Sequence, residues 1–385
     1  MKVVCNSSML VDGVRAAARV VSQRATLPIL QNIKIEAVLG EEGGKMLITG
    51  TDMNTCVKKA IPVEEIEVEG ATTVPAKLFL ELVEQFREAK RISLELRGNL
   101  LFLRDEDSES EHSLPTVPAD EFPLIPELAK PQVCEISQSM LRKMIRRSAF
   151  AAATEESAGV CTGILVEIEG DKLTLVATDT HRMSVVRTSI PTPMQERVEA
   201  IIPATVMREI HRLLSDADEP VKLAIDVTHM QIETGDMQCI TLKMQGQFPN
   251  YKRVIPTQFA RRLVIDTKEF ITKIKRVALH ANEDIPQIVM RISKDKLIIV
   301  AEDPEAGRGK GKEVLLPIEY EGEPIIIAFN ADFMAEFLSN VESPTTLVEM
   351  NENRQPVVMR PTLASEGEEW IYIAMPMQPP EETEF

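Results

Sequence analysis

The feature of this 385-residue chain that most constrains its fold is a segment that occurs three times. The sequences LITGTD, LVATD and IIVAED end at Asp52, Asp179 and Asp303, which lie 127 and 124 residues apart. Each follows apolar residues that alternate with polar ones around a Gly- or Asp-containing turn, a pattern that predicts a β-hairpin. A pattern that returns at such a long interval indicates a repeated domain.

Two further markers recur in the same register. The first is a predicted strand that passes into a helix, at Ala76, Ala204 and Ala331. The second is a proline-containing segment, at Pro123, Pro249 and Pro376. Each unit also opens with a predicted helix, and the predicted N-caps are Ser8, Ser139 and Thr267. The sequence therefore predicts an α+β protein of three repeated domains, each with two helices and antiparallel sheets, at 1–128, 129–257 and 258–385.

Composition excludes several classes of protein. The formal net charge of −17 argues against nonspecific binding of nucleic acid by the surface as a whole. The five cysteines are scattered without a CxxC pair, so we expect a reducing, cytoplasmic location rather than a disulfide scaffold or a zinc site. No apolar run reaches the roughly 18 residues of a membrane span, so no membrane partner is expected.

The acidic total conceals a basic subset on the predicted helices. Lys and Arg outnumber Asp and Glu on the six predicted helices, and the remainder of the chain carries the acidic excess. The helix predicted at 137–149 has an apolar stripe and a basic stripe without carboxylates, the latter formed by Arg142, Lys143, Arg146 and Arg147. One such stripe is typical of a solvated face. Three repeats that align basic helices would present a positive surface to phosphates.

Motifs for catalysis and for cofactors are missing from the sequence. The segment GRGKGKE at 307–313 lacks the first Gly and the last Ser or Thr of a phosphate-binding loop, and neither HExxH nor GxSxG occurs. We therefore expect no cofactor, no metal and no enzymatic activity. A hydrolase that uses Asp179 and His181 stays an alternative, although no nucleophile or metal site accompanies the pair. The residues favour a protein that follows the backbone of duplex DNA.

Six motifs resemble, in order and over the whole chain, those of the bacterial sliding clamp family, the beta subunit of DNA polymerase III. They are TLPIL (26–30), TGTD (49–52), ATTVPAK (71–77), VATDTHRMSVV (176–186), FPNYKRVIP (248–256) and MPM (375–377). The resemblance implies a head-to-tail homodimer that encircles double-stranded DNA, with three DNA-clamp domains of this chain forming half of the ring. It also implies a processivity factor whose partners are the replicative polymerase, a clamp loader and repair proteins. A clamp-fold interaction scaffold that does not encircle DNA is the alternative.

The resemblance also assigns site residues. In clamps, the ATDxHR segment borders an apolar pocket that takes short linear motifs of partners, and the corresponding residues here are Cys161, Thr178, His181, Arg182, Met183, Pro249, Arg253, Val254, Met375, Pro376 and Met377. The predicted DNA contacts are Arg24, Lys77, Lys143, Arg212 and Arg276, to which the helix pattern adds Arg142, Arg146 and Arg147. The predicted dimer contacts are His112, Leu114, Leu279 and His280. Many clamps have Gly at the position of Thr180, so a tighter pocket entrance is expected.

Overall fold

A computed structural model describes residues 1–22, 25–40, 43–108, 110–303, 307–365 and 367–380. The chain forms two compact units, one of Met1–Met140 with Glu209–Lys243 and one of Leu141–Arg208 with Met244–Phe385. The chain passes from one unit to the other within α3, within α4 and between Lys243 and Met244. The three domain ranges predicted above stay a prediction.

Six α-helices occur in the described residues, at the six predicted places. They are α1 (Ser7–Ala18), α2 (Ala76–Gln85), α3 (Gln138–Ala149), α4 (Ala204–Leu213), α5 (Thr267–Ala278) and α6 (Ala331–Ser339). The predicted N-caps were wrong, since Ser8, Ser139 and Thr267 lie within the first turns of their helices. The groups that cap these helices are the side-chain oxygens of Asn6, Ser137 and Asp266, which accept from the N–H groups of Met9, Met140 and Glu269 at 3.2, 3.3 and 2.7 Å. In each case the capping oxygen lies one or two residues before the predicted cap, and the helix begins directly after it.

The strands are antiparallel and make up four sheets. In chain order they are β1 (Lys2–Asn6), β2 (Asn32–Gly40), β3 (Gly43–Thr51), β4 (Thr55–Pro62), β5 (Glu65–Val68), β6 (Gly70–Pro75), β7 (Arg91–Arg97), β8 (Leu100–Asp105), β9 (Glu111–Pro115), β10 (Val117–Pro118), β11 (Gln132–Ser137), β12 (Gly163–Thr178), β13 (Arg182–Pro203), β14 (Pro220–Ile225), β15 (His229–Glu233), β16 (Met237–Leu242), β17 (Arg261–Asp266), β18 (Gln287–Ile292), β19 (Leu297–Asp303), β20 (Gly309–Leu315), β21 (Glu319–Glu321), β22 (Ile325–Asn330), β23 (Thr345–Met350), β24 (Val357–Pro361) and β25 (Glu369–Ala374).

Each unit contains two of the sheets. The first unit has the orders β5-β1-β7-β8-β9 and β10-β6-β2-β3-β4-β16-β15-β14-β11. The second unit has the orders β12-β13-β25-β24-β23-β17-β21 and β20-β19-β18-β22. The alternation of apolar residues explains these sheets, because side chains of one parity, such as Ile33, Ile35 and Ala37 on β2, are buried against helices.

The predicted hairpins are confirmed for β2–β3 and β18–β19. The second repeat differs, because β12 is continuous over 16 residues and the predicted turn at Gly170 appears as a break in its register with β13. Strand β13 extends for 22 residues beside both halves of β12, so the ladder resumes after the break. Gly170 has φ +58°, a backbone conformation that a residue without Cβ adopts readily.

Candidate functional site

The tetrad Asp179–Arg182 forms a tight turn between β12 and β13. One carboxylate oxygen of Asp179 accepts from the N–H groups of His181 and Arg182 at 3.0 and 2.9 Å, and the other accepts from Arg182 Nε at 2.9 Å. Asp52 does the same between β3 and β4, where it accepts from the N–H groups of Asn54 and Thr55 at 2.9 and 2.6 Å. Asp179 therefore shapes the turn.

Thr180 is at the apex of this turn with φ +76°. Positive φ is a strained conformation for a β-branched residue and an easy one for Gly. The N–H of Thr180 donates to Thr178 Oγ1 at 3.1 Å, and that hydroxyl donates to the Arg182 carbonyl at 2.6 Å. These bonds hold the strained apex in place.

The guanidinium of Arg182 is buried and anchors the turn. It donates to the carbonyl of Phe150 at 2.9 Å, pairs with Glu336, and lies over the Phe333 ring with 4.1 Å between its central carbon and the ring centroid. Burial acts to lower the pKa of Arg182, but Tyr372, Glu336 and other acidic neighbours together raise it. Arg182 therefore stays charged and contacts protein groups rather than solvent.

The C-terminal strand brings a second group of predicted residues to this turn. Strand β25 pairs with β13, which places Met183 opposite Ile373. The N–H of Met375 donates to the carbonyl of His181 at 2.8 Å. The side chains of His181 and Met375 are both exposed. The structure thus joins the backbones of His181 and Met375, two residues with exposed side chains, at one end of the sheet.

The segment from Pro249 to Val254 contributes a third group. Tyr251 shares a core cluster with Met183, and the exposed Val254 follows directly after the 3-10 turn Tyr251–Arg253. Sequence reasoning missed the residue that holds this turn, the buried Glu167. Its carboxylate accepts from Tyr251 Oη at 2.9 Å and pairs with Lys252 at 3.0 Å. A single Glu in a strand gives no sequence signal of this role.

Other predicted pocket residues are placed differently. Cys161, Thr178 and Met183 are almost fully buried, and burial raises the pKa of the Cys161 thiol so that it stays neutral. Met377 packs on a cluster that includes Val300, and its N–H donates to the Ala328 carbonyl at 2.8 Å. Met377 therefore belongs to the four-stranded sheet. The exposed members of the predicted pocket set are His181, Pro249, Arg253, Val254 and Met375, and Pro376 is half-buried.

Helix α3 presents the predicted basic stripe, but tertiary contacts neutralise most of it. Lys143 Nζ lies 2.7 Å from a carboxylate oxygen of Glu368, Arg147 Nη1 lies 3.1 Å from the same oxygen, and Arg146 pairs with Glu342. Arg142 is half-buried and also has an interaction partner. Three of the four cations thus have named carboxylate partners in the second unit.

The assignment of Arg147 to the exposed stripe was wrong. Its side chain is 9% exposed and its guanidinium lies over the Trp370 ring. Arg147 follows Met144 by three positions, so helical spacing places it on the apolar face. Burial lowers the pKa of Arg147 despite the nearby carboxylates, and the carbonyl of this residue accepts from Ser184 Oγ at 2.5 Å.

The remaining predicted DNA contacts are distributed over both units. Lys77 and Arg212 lie in the first unit, where they neighbour Glu81 and Glu209 on their own helices. Arg276 lies in the second unit with Glu313 at 3.5 Å. All three are exposed. Arg24 lies outside the described residues.

The predicted dimer contacts divide into exposed and buried side chains. His112 is exposed on the edge strand β9, with its ring edge-on to Phe86 at 5.4 Å between centroids. Leu279 is 72% exposed, and His280 Nδ1 lies 2.8 Å from the Arg308 carbonyl. The prediction that the Leu114 side chain contacts the partner subunit was wrong. It is 3% exposed, because it points into the core under the helices.

The described residues contain neither a metal-binding cluster nor a membrane-spanning helix. No group of three or more His, Cys, Asp or Glu side chains there could hold a metal ion. Among the same residues, no helix is long and apolar enough to cross a membrane.

Comparison with known proteins identifies the family. Models of the DNA polymerase III beta subunit match the chain in order: the N-terminal domain at 1–126, the central domain at 135–250 and the C-terminal domain at 252–378. The chain belongs to the DNA polymerase III beta subunit family. Beta sliding clamps of Synechococcus elongatus and Bacillus subtilis are 28% and 27% identical to it. The matches cover 98% and 94% of this chain and 99% and 96% of those proteins.

Solved structures agree with this assignment. The DNA polymerase sliding clamp from Bacillus subtilis superposes with a TM-score of 0.89 at 25% identity, covering 98% of this chain and 99% of that one. A Pseudomonas aeruginosa sliding clamp bound to griselimycin gives a TM-score of 0.91 at 26% identity, with the same shares of the two chains covered. The predicted fold class and family resemblance are confirmed. Because beta sliding clamps are non-catalytic processivity factors of DNA polymerase III, the hydrolase alternative was wrong.

Proposed function

We propose that the chain acts as a sliding clamp that encircles double-stranded DNA as a head-to-tail homodimer and tethers the replicative polymerase. The clamp loader and repair proteins would use the same docking site through short linear motifs, in the cytoplasm. The observation that carries this proposal is the match of three beta-subunit domains in order over nearly the whole chain. The scaffold alternative has no observation in its favour.

The DNA-facing surface would consist of exposed cations on several helices. Arg146 on α3 and Arg276 on α5 are exposed in the second unit, and Lys77 and Arg212 are exposed in the first. Such groups contact phosphates without reading bases. We retain Arg142 and Lys143 as weaker members, and Arg24 by resemblance alone. Arg147 is buried and would act through its ion pair with Glu368 beneath this surface.

The partner-binding surface would centre on His181, Val254 and Met375. All three are exposed, and the segments that bear them pack on one core cluster or hydrogen-bond to each other. An exposed flexible Met and an exposed apolar Val suit the docking of different apolar anchors. The buried Thr178 and Arg182 would act by fixing the turn.

One experiment tests the proposed function directly. Molecular mass in solution is measured at two protein concentrations, and retention on closed circular DNA is then measured after incubation with a clamp loader and ATP. We expect a species of twice the chain mass that stays on the circle and is lost when the circle is cut. A monomer, or retention that survives cutting, would contradict the encircling homodimer and favour the scaffold.

A further inference from the structure

The cations of α3 have two carboxylate partners in very different surroundings. Glu368 is 6% exposed and takes Lys143 and Arg147, at 2.7 and 3.1 Å. Glu342 follows α6 in the chain and is 56% exposed. It pairs with Arg146, which is 39% exposed, and it also lies 3.5 Å from Arg147. The inner pair is thus Arg147 with Glu368, the outer pair is Arg146 with Glu342, and Arg147 lies near both carboxylates.

The two pairs differ in how easily another anion can replace the carboxylate. Removing Glu368 from Arg147 would leave a buried charge beside the Trp370 ring, so the inner pair is fixed. The outer pair is in contact with water, where such a pair contributes little to stability. A guanidinium binds carboxylate and phosphate through the same forked geometry, so Arg146 can exchange Glu342 for a phosphate oxygen.

The outer carboxylate is ionised at neutral pH. The hydrogen bond from Arg146 lowers the pKa of Glu342, burial acts in the opposite direction, and the charges of Arg146, Arg147 and Lys143 lower it further. Glu342 therefore acts as a covalently attached counterion of Arg146. Glu342 cannot diffuse away when a phosphate displaces it. Its displacement therefore adds nothing to the entropy that is gained when free ions are released on DNA binding.

We propose that Glu342 is an internal competitor for the DNA backbone, bound to Arg146 in the free protein and displaced when duplex DNA binds. This inference rests on the proposed function, because it takes α3 as a DNA-facing helix. Glu342 thereby weakens one phosphate contact and keeps it exchangeable, which suits a protein that moves along DNA. No motif singled out this residue.

The variant Glu342→Gln tests the proposal, because it retains the shape of the side chain and removes the charge. Binding to a short blunt duplex of arbitrary sequence is measured by fluorescence anisotropy over a series of salt concentrations. We expect several-fold tighter binding at low salt. Because Arg146 contacts the phosphate in both proteins, the slope of log affinity against log salt should change by less than about 0.9, the value for one phosphate contact.

A matched control separates this effect from a change in net charge. Glu352→Gln removes another exposed carboxylate of the same unit, whose partner at 3.6 Å is Arg261. We expect its binding and salt dependence to stay close to those of the unchanged protein. Equal effects of the two variants, or no effect of Glu342→Gln, would overturn the proposal.

A double-mutant cycle tests whether Glu342 acts through Arg146. Arg146→Gln alone should weaken duplex binding, and Glu342→Gln should have little effect in that background. A Glu342→Gln effect that persists there contradicts the proposal. If Arg146→Gln leaves duplex binding unchanged while the protein is still retained on closed circles, the proposal fails and the proposed function stands. Loss of retention by the unchanged protein would count against the function itself.

Discussion

Asp179 uses both of its carboxylate oxygens on its own turn. They accept from two backbone N–H groups and from the Arg182 side chain, and the neighbouring His181 is bonded to it only through the backbone N–H. A carboxylate engaged in this way builds a turn rather than a proton relay. The same bonds at Asp52 explain why the motif recurs in the first repeat.

Replacing Thr180 by Gly is expected to stabilise the second unit. Thr180 has φ +76°, which costs about 1 to 2 kcal/mol for a residue with Cβ, and the greater freedom of Gly in the unfolded chain offsets part of that gain. We expect a net gain of up to about 1 kcal/mol, measured by urea unfolding. Met53→Gly at the matching turn, with φ +78°, should gain less because Met is not β-branched. A loss of stability on Thr180→Gly would contradict the strain.

Arg147 and Arg146 are neighbours whose removal should destabilise the fold to very different extents. Arg147→Ala leaves the buried Glu368 with fewer partners and should cost about 3 kcal/mol of unfolding free energy. Arg146→Ala removes an exposed partner of Glu342 and should cost less than about 1 kcal/mol. Thermal or urea unfolding of both variants measures the difference. Similar losses would show that the inner pair is not the stabilising one.

Among the secondary-structure elements, the spacing of apolar residues in the sequence predicted much of the fold. The six helices follow from apolar residues at helical spacing, and the hairpins follow from alternation. The predicted helix N-caps were wrong because capping depends on the position of a single side-chain oxygen. The partners of α3 could not be predicted, since Glu342 and Glu368 lie 196 and 225 residues from Arg146 and Lys143 in the chain. The predicted pocket set likewise mixed exposed side chains with buried ones.

The 3-10 turn Tyr251–Arg253 should depend on Glu167. Burial acts to raise the pKa of Glu167, but the bonds from Lys252 and Tyr251 and the charge of Arg197 together lower it. A lowered pKa stabilises the fold above the unfolded value of about 4.3, and the stabilisation disappears as the pH falls through the folded value. Glu167→Gln should therefore cost about 2 kcal/mol at neutral pH and progressively less in acid.

Unfolding midpoints measured from neutral pH down to acid test this prediction. Glu169→Gln is the matched control, because that carboxylate is exposed and lies 3.5 Å from the same Lys252. The control should change the midpoint little at any pH. A Glu167→Gln difference that does not narrow in acid would contradict the role given to the ionised carboxylate.

At the scale of the whole molecule, charge is segregated. The chain has a formal net charge of −17, yet α3 contains four cations and no carboxylate, and α5 contains four cations and one carboxylate. Helices α1 and α2 end before Arg19 and Arg87, so each contains one cation. Cations are therefore concentrated on α3 and α5.

Assembly of the homodimer should depend on Leu279. This side chain is 72% exposed in the single chain, and the proposed seam would bury it. Leu279→Glu would place a carboxylate in that seam and should shift the measured mass towards the monomer. Leu363→Glu is the control, because Leu363 is 67% exposed and lies outside the proposed seam. An unchanged mass for Leu279→Glu would place the seam elsewhere.

The turns at Asp52 and Asp179 have one further consequence. Beyond the shared capping bonds, the N–H of Leu242 donates to the Asn54 carbonyl at 2.8 Å, as the N–H of Met375 does to His181. The backbone hydrogen bonds at the proposed docking surface are thus present twice. A second recruitment site could be engineered by grafting surface residues onto the first turn, which would double the valency of each subunit without redesign of the fold.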